Sequence, residues 1–325
     1  MKRYGYLWHT VCSLENIEIA HQRARKRKTH YSEVKMVDSD PEKYFRHIRS
    51  MLINKTYKCS KYSIMIKKDG LKEREIWKLK YYPDRIIHHC VMNVVEPIWT
   101  KGLIRDTYAA VKGRGIHDGV RRLRKALHAD RTGTHYCLKM DVRKFYQSIL
   151  PEVQKQAFRR KLKDPDVLWL LDLIADSAPF VPIGNYPSQP IGNLVLSLMD
   201  HWIKENLRVT YYYRYCDDMV ILGAEKSELH QIKRNIERYL ATLKLELKNN
   251  WQVFPVDSRG IDFLGYRFFH GYTLVRKSIV KNFKKKYTKK ALNAMPAYHG
   301  WFCWANTYNL KKKYNYDRIA CNKKQ

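Results

Sequence analysis

Asp217 and Asp218 stand side by side in the run YYYRYCDDMVILG, residues 211–223. Tyr, Val, Ile and Leu on both sides favour strands. Two carboxylates in such a run repel each other and lose hydration. A turn over residues 216–218 relieves part of that cost, since Asp tolerates turns. A divalent cation relieves the rest, and hard oxygen ligands at one point suit Mg²⁺. Asp141 closes a third acidic position, in LKMDVRKFYQSI. Alone, a carboxylate at a strand end is as well explained as a helix cap or turn former. Three carboxylates from two stretches can instead seat two ions roughly 3.5–4 Å apart, which stabilise the attacking and leaving oxygens of phosphoryl transfer. A solvated acidic hairpin tip is the bland alternative, and the apolar flanks argue against it.

These carboxylates need elements to position them. Residues 136–141 predict a short buried strand, and 211–223 predicts two strands meeting at the acidic pair. Between them, helices are expected over 151–163, 166–176 and 190–207. The last has Ile191, Leu194, Val195, Leu198, Met199, Trp202 and Ile203 on one face. A further helix is expected over 226–243, with Leu229, Ile232, Ile236 and Leu240 as its stripe, and strands over 251–269. Upstream, Asp40 and Pro41 open a helix with Tyr44, Phe45, Ile48, Met51 and Leu52. Residues 61–80 suggest a lysine-rich hairpin, and 83–98 and 117–129 suggest helices, the latter with Val120, Leu123 and Leu127 inward. Residues 1–35 read as basic and irregular, and the segment after 270 as basic and helical. Strand, helices, hairpin, helix and strand in this order imply an α+β fold with a sheet backed by helices.

Lys and Arg number 63 against 31 acidic residues, a net charge of +32. Such an excess points to a polyanion, because neutralising phosphates releases counterions. The seven cysteines are odd in number and form no CxxC, which argues against a disulfide framework or zinc knuckle and makes a reducing cytoplasm the default. His88, His89 and Cys90 are contiguous and read as helix residues rather than ligands. Gly113 and Gly115 lack a P-loop context and read as a turn. MKRYGYLWHT has no apolar core of a leader, and no run suits a membrane span.

Four segments, taken in order, carry a resemblance. Tyr215-Cys216-Asp217-Asp218 resembles the YxDD box of reverse transcriptases. Asp141 with Phe145 and Tyr146 is similar to their first palm motif, PIGNYPSQPIGN (182–193) to their third, and GIDFLGYRF (260–268) to their primer grip. The resemblance implies a right-hand polymerase with fingers, palm and a small helical thumb. Its divisions would be an N-terminal basic, helical extension over 1–60, fingers with part of the palm over 61–135, palm over 136–270 with a fingers insertion at about 150–185, and a basic thumb over 271–325. It also implies roles. Asp141, Asp217 and Asp218, helped by the Val142 carbonyl, would bind two Mg²⁺ ions, with Mn²⁺ a possible substitute. Tyr146 would sit under the sugar and exclude a 2′-hydroxyl. Lys72 and Arg74 would grip the triphosphate, and Ile183, Gly184 and Gln189 would line the nucleotide site. Leu264, Gly265 and Tyr266 would hold the primer. Lys248 is either a surface lysine or a proton donor to pyrophosphate.

Most reverse transcriptases open the third motif with Gln-Gly and close it with Ser-Pro. Here Ile183-Gly184 and Ser188-Gln189 stand instead, which resembles the enzymes of diversity-generating retroelements. The stretches WQVFPVDSRGIDFLGYRF, LVRKS (274–278) and WANTYNL (304–310) extend that resemblance. It implies error-prone copying of a template-repeat RNA, with errors at template adenines, in a bacterial or phage-encoded cytoplasmic protein. The implied partners are template RNA, primer or cDNA, dNTPs and a small basic oligomeric accessory variability protein. A retron or phage-defence reverse transcriptase is the alternative of the same class, and a non-catalytic RNA-binding relative the alternative of another.

Overall fold

The computed structural model describes residues 2–69, 72–288 and 292–315. The chain forms two compact units, each built from three stretches of sequence.

The first unit comprises residues 1–105, 143–201 and 240–246. Its N-terminal part is helical, not irregular: helices span Trp8–Val11, Leu14–Ala24 and Ser32–Ser39. The second is started by Ser13, whose hydroxyl accepts the Asn16 N–H at 3.2 Å. It buries Ile17, Ala20 and Ala24 against helix Ile86–Lys101, where the Asn16 amide donates to the Cys90 carbonyl. Asp40 caps helix Pro41–Ile53 as its sequence suggests, accepting from the Lys43 N–H, and Ile48 and Leu52 are its buried positions. His88, His89 and Cys90 are buried helix residues. Strands β1 (Ser63–Asp69) and β2 (Lys72–Lys78) pair as an antiparallel hairpin. Helices Pro151–Lys161 and Pro165–Asp176 follow.

The second unit comprises residues 106–142, 202–239 and 247–325. Its main sheet contains β3 (Tyr136–Asp141), β4 (Tyr211–Tyr215), β5 (Asp218–Gly223) and β6 (Gln252–Pro255), all antiparallel, in the order β4-β5-β3-β6. Helix Ile116–Ala129 lays Val120, Leu123 and Leu127 on the core that holds Cys137, Val220, Leu222 and Phe254. Each fully buried aliphatic side chain there contributes about 1.5–3 kcal/mol. The segment after 270 is not helical from its start. A second sheet of β7 (Ile261–Phe263), β8 (Tyr266–Phe268) and β9 (Thr273–Val275) precedes helix Lys277–Thr288. Thr and Val at β9 keep the period of two that the basic composition hides.

Two long helices, Ser188–Glu205 and Lys226–Thr242, complete the pattern expected between the sheet strands. The α+β class and the antiparallel pairing both hold. Among the described residues no helix is long and apolar enough to cross a membrane.

Candidate active site

Register brings the acidic residues of the second unit together. Asp141 is the last residue of β3 and lies directly opposite Asp218, the first of β5. Residues paired this way have Cβ atoms about 4.5–5.5 Å apart. Tyr215 pairs with Asp218 across β4 and β5, leaving Cys216 and Asp217 as a two-residue turn. Cys216 has φ +59°, as the first position of a primed hairpin turn demands. The backbone there is held from two sides. Arg214, wholly buried, donates its guanidinium to the Cys216 carbonyl at 2.9 Å. The Val142 N–H donates to the Asp217 carbonyl at 3.3 Å.

Cations already stand at these carboxylates. The Lys248 ammonium lies 3.6 Å from an Asp141 oxygen and 3.7 Å from an Asp217 oxygen. Its backbone N–H donates to the Asp141 carbonyl, so Lys248 is fixed beside the acidic group rather than being an idle surface lysine. The Lys139 ammonium donates to Asp218. Lys139 precedes Asp141 by two positions on β3, and strand alternation puts both on one face. Burial pushes the Asp218 carboxyl up to about 6. Lys139 pulls it down, while Asp141 and Asp217 add to the rise. Among the described residues no group of three or more His, Cys, Asp or Glu side chains is already disposed as a metal cage. The donor set nonetheless suits a hard divalent cation: acceptor-only oxygens from Asp141 and Asp217 converge on one positive charge, with a third carboxylate across the strand pair.

The remaining residues singled out by sequence fall in both units. In the first, Phe145 and Tyr146 open a short helix, Phe145–Ser148, and their rings pack at 5.1 Å. Gly192 lets them approach helix Ser188–Glu205: a Cβ there would sit 2.9 Å from Phe145 and 3.2 Å from Tyr146. Arg74 lies on β2, exposed. Lys72 is the first residue of that strand, and its side chain lies outside the described residues. The Ile183 carbonyl accepts the Trp77 N–H at 2.8 Å, tying the third motif to β2. Gly184 has φ +125°, and a Cβ would approach the Trp77 carbonyl to 2.7 Å. Gly184→Ala is therefore expected to destabilise the chain by about 1–3 kcal/mol, read as a lower urea midpoint at unchanged slope. An unaltered midpoint would remove the role given to this glycine. Ser188 is buried and donates to the Pro182 carbonyl, while Gln189 is exposed.

In the second unit, Leu264 and Gly265 form the two-residue turn between β7 and β8, with φ +53° and +84°. Leu264, Gly265 and Tyr266 are buried rather than presented outward. Leu264 packs at Gly119, a Cβ on Gly265 would strike Trp301, and the Tyr266 hydroxyl donates to the Trp301 carbonyl. Hydrophobic side chains beside aromatic strands seek the core, which leaves the turn backbone as the outward surface of this motif.

A family model described as "Reverse transcriptase (RNA-dependent DNA polymerase)" matches residues 66–268, more than half of the chain. The chain belongs to the reverse transcriptase family. Protein YkfC of Escherichia coli strain K12 is 22% identical to this chain over 229 residues, 57% of this chain and 60% of that protein. Apo telomerase from Candida tropicalis superposes with a TM-score of 0.51 at 12% identity, over 70% of this chain and 52% of that one. Telomerase from Candida albicans, in a complex with a TWJ fragment of telomeric RNA, gives 0.51 at 11%, over 73% and 52%. These two likenesses show a shared polymerase fold. The chain thus spans about 60% of the curated relative and about half of each telomerase. Reverse transcriptase domains use divalent metal ions.

Sequence reasoning missed Lys139 and Arg214. The strand period could have flagged Lys139, since it shares a face with Asp141. A lone arginine inside YYYRY is also an oddity that calls for a partner.

Proposed function

We propose that this chain is the error-prone reverse transcriptase of a diversity-generating retroelement, copying a template-repeat RNA into cDNA with errors at template adenines. The observation that carries the polymerase reading is the register pairing of Asp141 with Asp218, with Asp217 in the adjoining turn sharing Lys248 with Asp141. Asp141, Asp217 and Asp218, with the Val142 carbonyl, would hold two Mg²⁺ ions. When bound, those ions supply charge neutralisation at the attacking and leaving oxygens of phosphoryl transfer.

The chain's own residues do the rest. Lys139 and Lys248 offset the negative charge of the acidic group, so the free protein tolerates three carboxylates at one strand junction. Arg214 fixes the turn that carries Asp217. Lys72 and Arg74 would neutralise the triphosphate, and Tyr146 would close the site against a ribose hydroxyl. The Leu264–Gly265 turn would guide the primer through its backbone. Residues 271–325 would serve as a basic thumb. The +32 charge suits template RNA and cDNA. A small basic oligomeric variability protein is the proposed accessory partner, in a bacterial or phage-infected cytoplasm.

The subtype rests on Ile183 where most of the family has Gln. An amide there would hydrogen-bond near the incoming nucleotide, whereas isoleucine selects by shape alone, and apolar contacts discriminate weakly. The test is primer extension on RNA with Mg²⁺ and dNTPs, with and without candidate partners, followed by product sequencing. Ile183→Gln is expected to lower misincorporation opposite adenine by about two- to tenfold, the worth of one net hydrogen bond. An unchanged error spectrum would sink this account of infidelity, and wild-type products with errors spread evenly over the four bases would sink the subtype.

A further inference from the structure

The outer face of helix Ile116–Ala129 borders a groove that the polymerase site does not use. Its inner face is committed to the core. Its outer face presents Arg121, Arg124, Lys125 and His128, all exposed, to a groove of about 520 Å³. That volume lies within the range of ligand sites. The β8–β9 turn supplies flat surfaces opposite. Phe269 and Tyr272 stack there at 4.4 Å and 19°, with Tyr272 46% exposed. Trp304 lines the groove too, stacked on His117 at 5.1 Å and 13°. The wall is braced by Asn306, which accepts the Thr273 N–H through its side chain and donates its own N–H to the Thr273 carbonyl. No Asp or Glu lines the groove among the described residues.

Its place in the unit separates it from the acidic site. His270 and Thr134 hydrogen-bond at 3.0 Å, which fixes the turn beside the start of β3. Asp141 is at the other end of that strand, and a strand of this length spans roughly 17 Å. Whatever binds here is not the nucleotide at the reacting carboxylates.

We propose that this groove holds a single-stranded RNA segment, with backbone phosphates on Arg124 and Lys125, since Arg121 already pairs with Asp118 at 2.6 Å, and an unpaired base on the Phe269–Tyr272 stack. Clustered cations in excess over the carboxylates beside them, Asp118 on Arg121 and Asp257 on His270, favour a polyanion. Exposed flat rings beside them favour nucleobases over an acidic polypeptide, since every base has a π-face. The inference rests on reading the chain as an RNA-copying polymerase, and assigns it a second hold on RNA outside the copied base pair.

The test uses the full chain with excess unlabelled primer–template duplex, to which a labelled oligouridylate of about twelve nucleotides is added and followed by anisotropy. Arg124→Glu with Lys125→Glu, two exposed helix positions, is expected to weaken oligouridylate binding at least about tenfold and to flatten its salt slope by about two. Tyr272→Ala is expected to weaken it by about tenfold, and Tyr272→Phe to retain it, as stacking requires. Extension of a short duplex should be unchanged in all three. Unaltered oligouridylate binding by the double variant would overturn the assignment. So would displacement by polyglutamate that matches RNA and ignores Tyr272→Ala, because the groove would then take an acidic polypeptide. Wild-type protein that extends no primer would count against the polymerase reading instead, and the oligouridylate measurement would still decide the groove.

Discussion

Asp217→Ala should reduce dNTP incorporation by on the order of a thousandfold or more, because several kcal/mol of charge stabilisation depend on the metal-binding oxygens and each 1.36 kcal/mol is a factor of ten. The same variant should bind RNA nearly as tightly as the wild type. Removing one carboxylate from a chain of charge +32 leaves the electrostatic attraction to phosphates intact. It should also fold, since the turn that Asp217 occupies is held at its carbonyls, by the Arg214 guanidinium on Cys216 and the Val142 N–H on Asp217, rather than by the Asp217 side chain. Primer extension, filter binding and circular dichroism on one preparation decide the matter. An Asp217→Ala protein that still extends a primer at more than a few per cent of the wild-type rate would refute the assignment of this residue. Loss of extension together with loss of the fold would move its role from chemistry to structure.

That the three carboxylates meet was legible in the sequence because two of them are neighbours. Adjacent aspartates between apolar strands have few structural explanations, and they define a hairpin by themselves. The position of Asp141 was legible for a different reason. The short apolar run that buries Cys137, Leu138 and Met140 ends at the first carboxylate, where the strand stops. What remained hidden was the balancing charge. Lysine is so common in this chain that Lys139 stands out only through the strand period it shares with Asp141, and the pairing of Lys248 with both Asp141 and Asp217 is seen only in the structure. The N-terminal helices were hidden by the same excess. Arg23, Arg25 and Lys26 suggest a solvated arm, yet Ile17, Ala20 and Ala24 at spacings of three and four are enough to anchor a helix. At the primer-grip motif, the resemblance gave a role while the residue types gave a location. Leu264 in a tight turn and Tyr266 at the start of β8 are apolar or amphipathic side chains, and the core takes them.

Tyr146→Ala should relax the choice of sugar. If the Tyr146 ring lies under the incoming nucleotide, a ribose hydroxyl must push into it, and forcing one or two extra heavy atoms into a packed site costs about 1–3 kcal/mol. Discrimination against ribonucleotides should then fall by on the order of ten- to a hundredfold when the ring is removed. The ring is not free to retreat in the native chain. It packs on Phe145, which is buried, and on Gly192 of the Ser188–Glu205 helix, where there is no Cβ to displace it. This contact gives the prediction a second arm. Gly192→Ala would place a methyl group 2.9 Å from Phe145 and 3.2 Å from Tyr146, so both rings must shift by a few tenths of an ångström. If Tyr146 acts through its position, Gly192→Ala should alter the ratio of rNTP to dNTP incorporation without touching a group that meets the nucleotide. Single-nucleotide incorporation, with kcat/KM measured for each sugar, separates the cases. A Tyr146→Ala enzyme that remains as selective as the wild type would remove the steric gate from this residue. A Gly192→Ala enzyme that loses activity equally for both sugars would show that the helix contact serves packing and not selection.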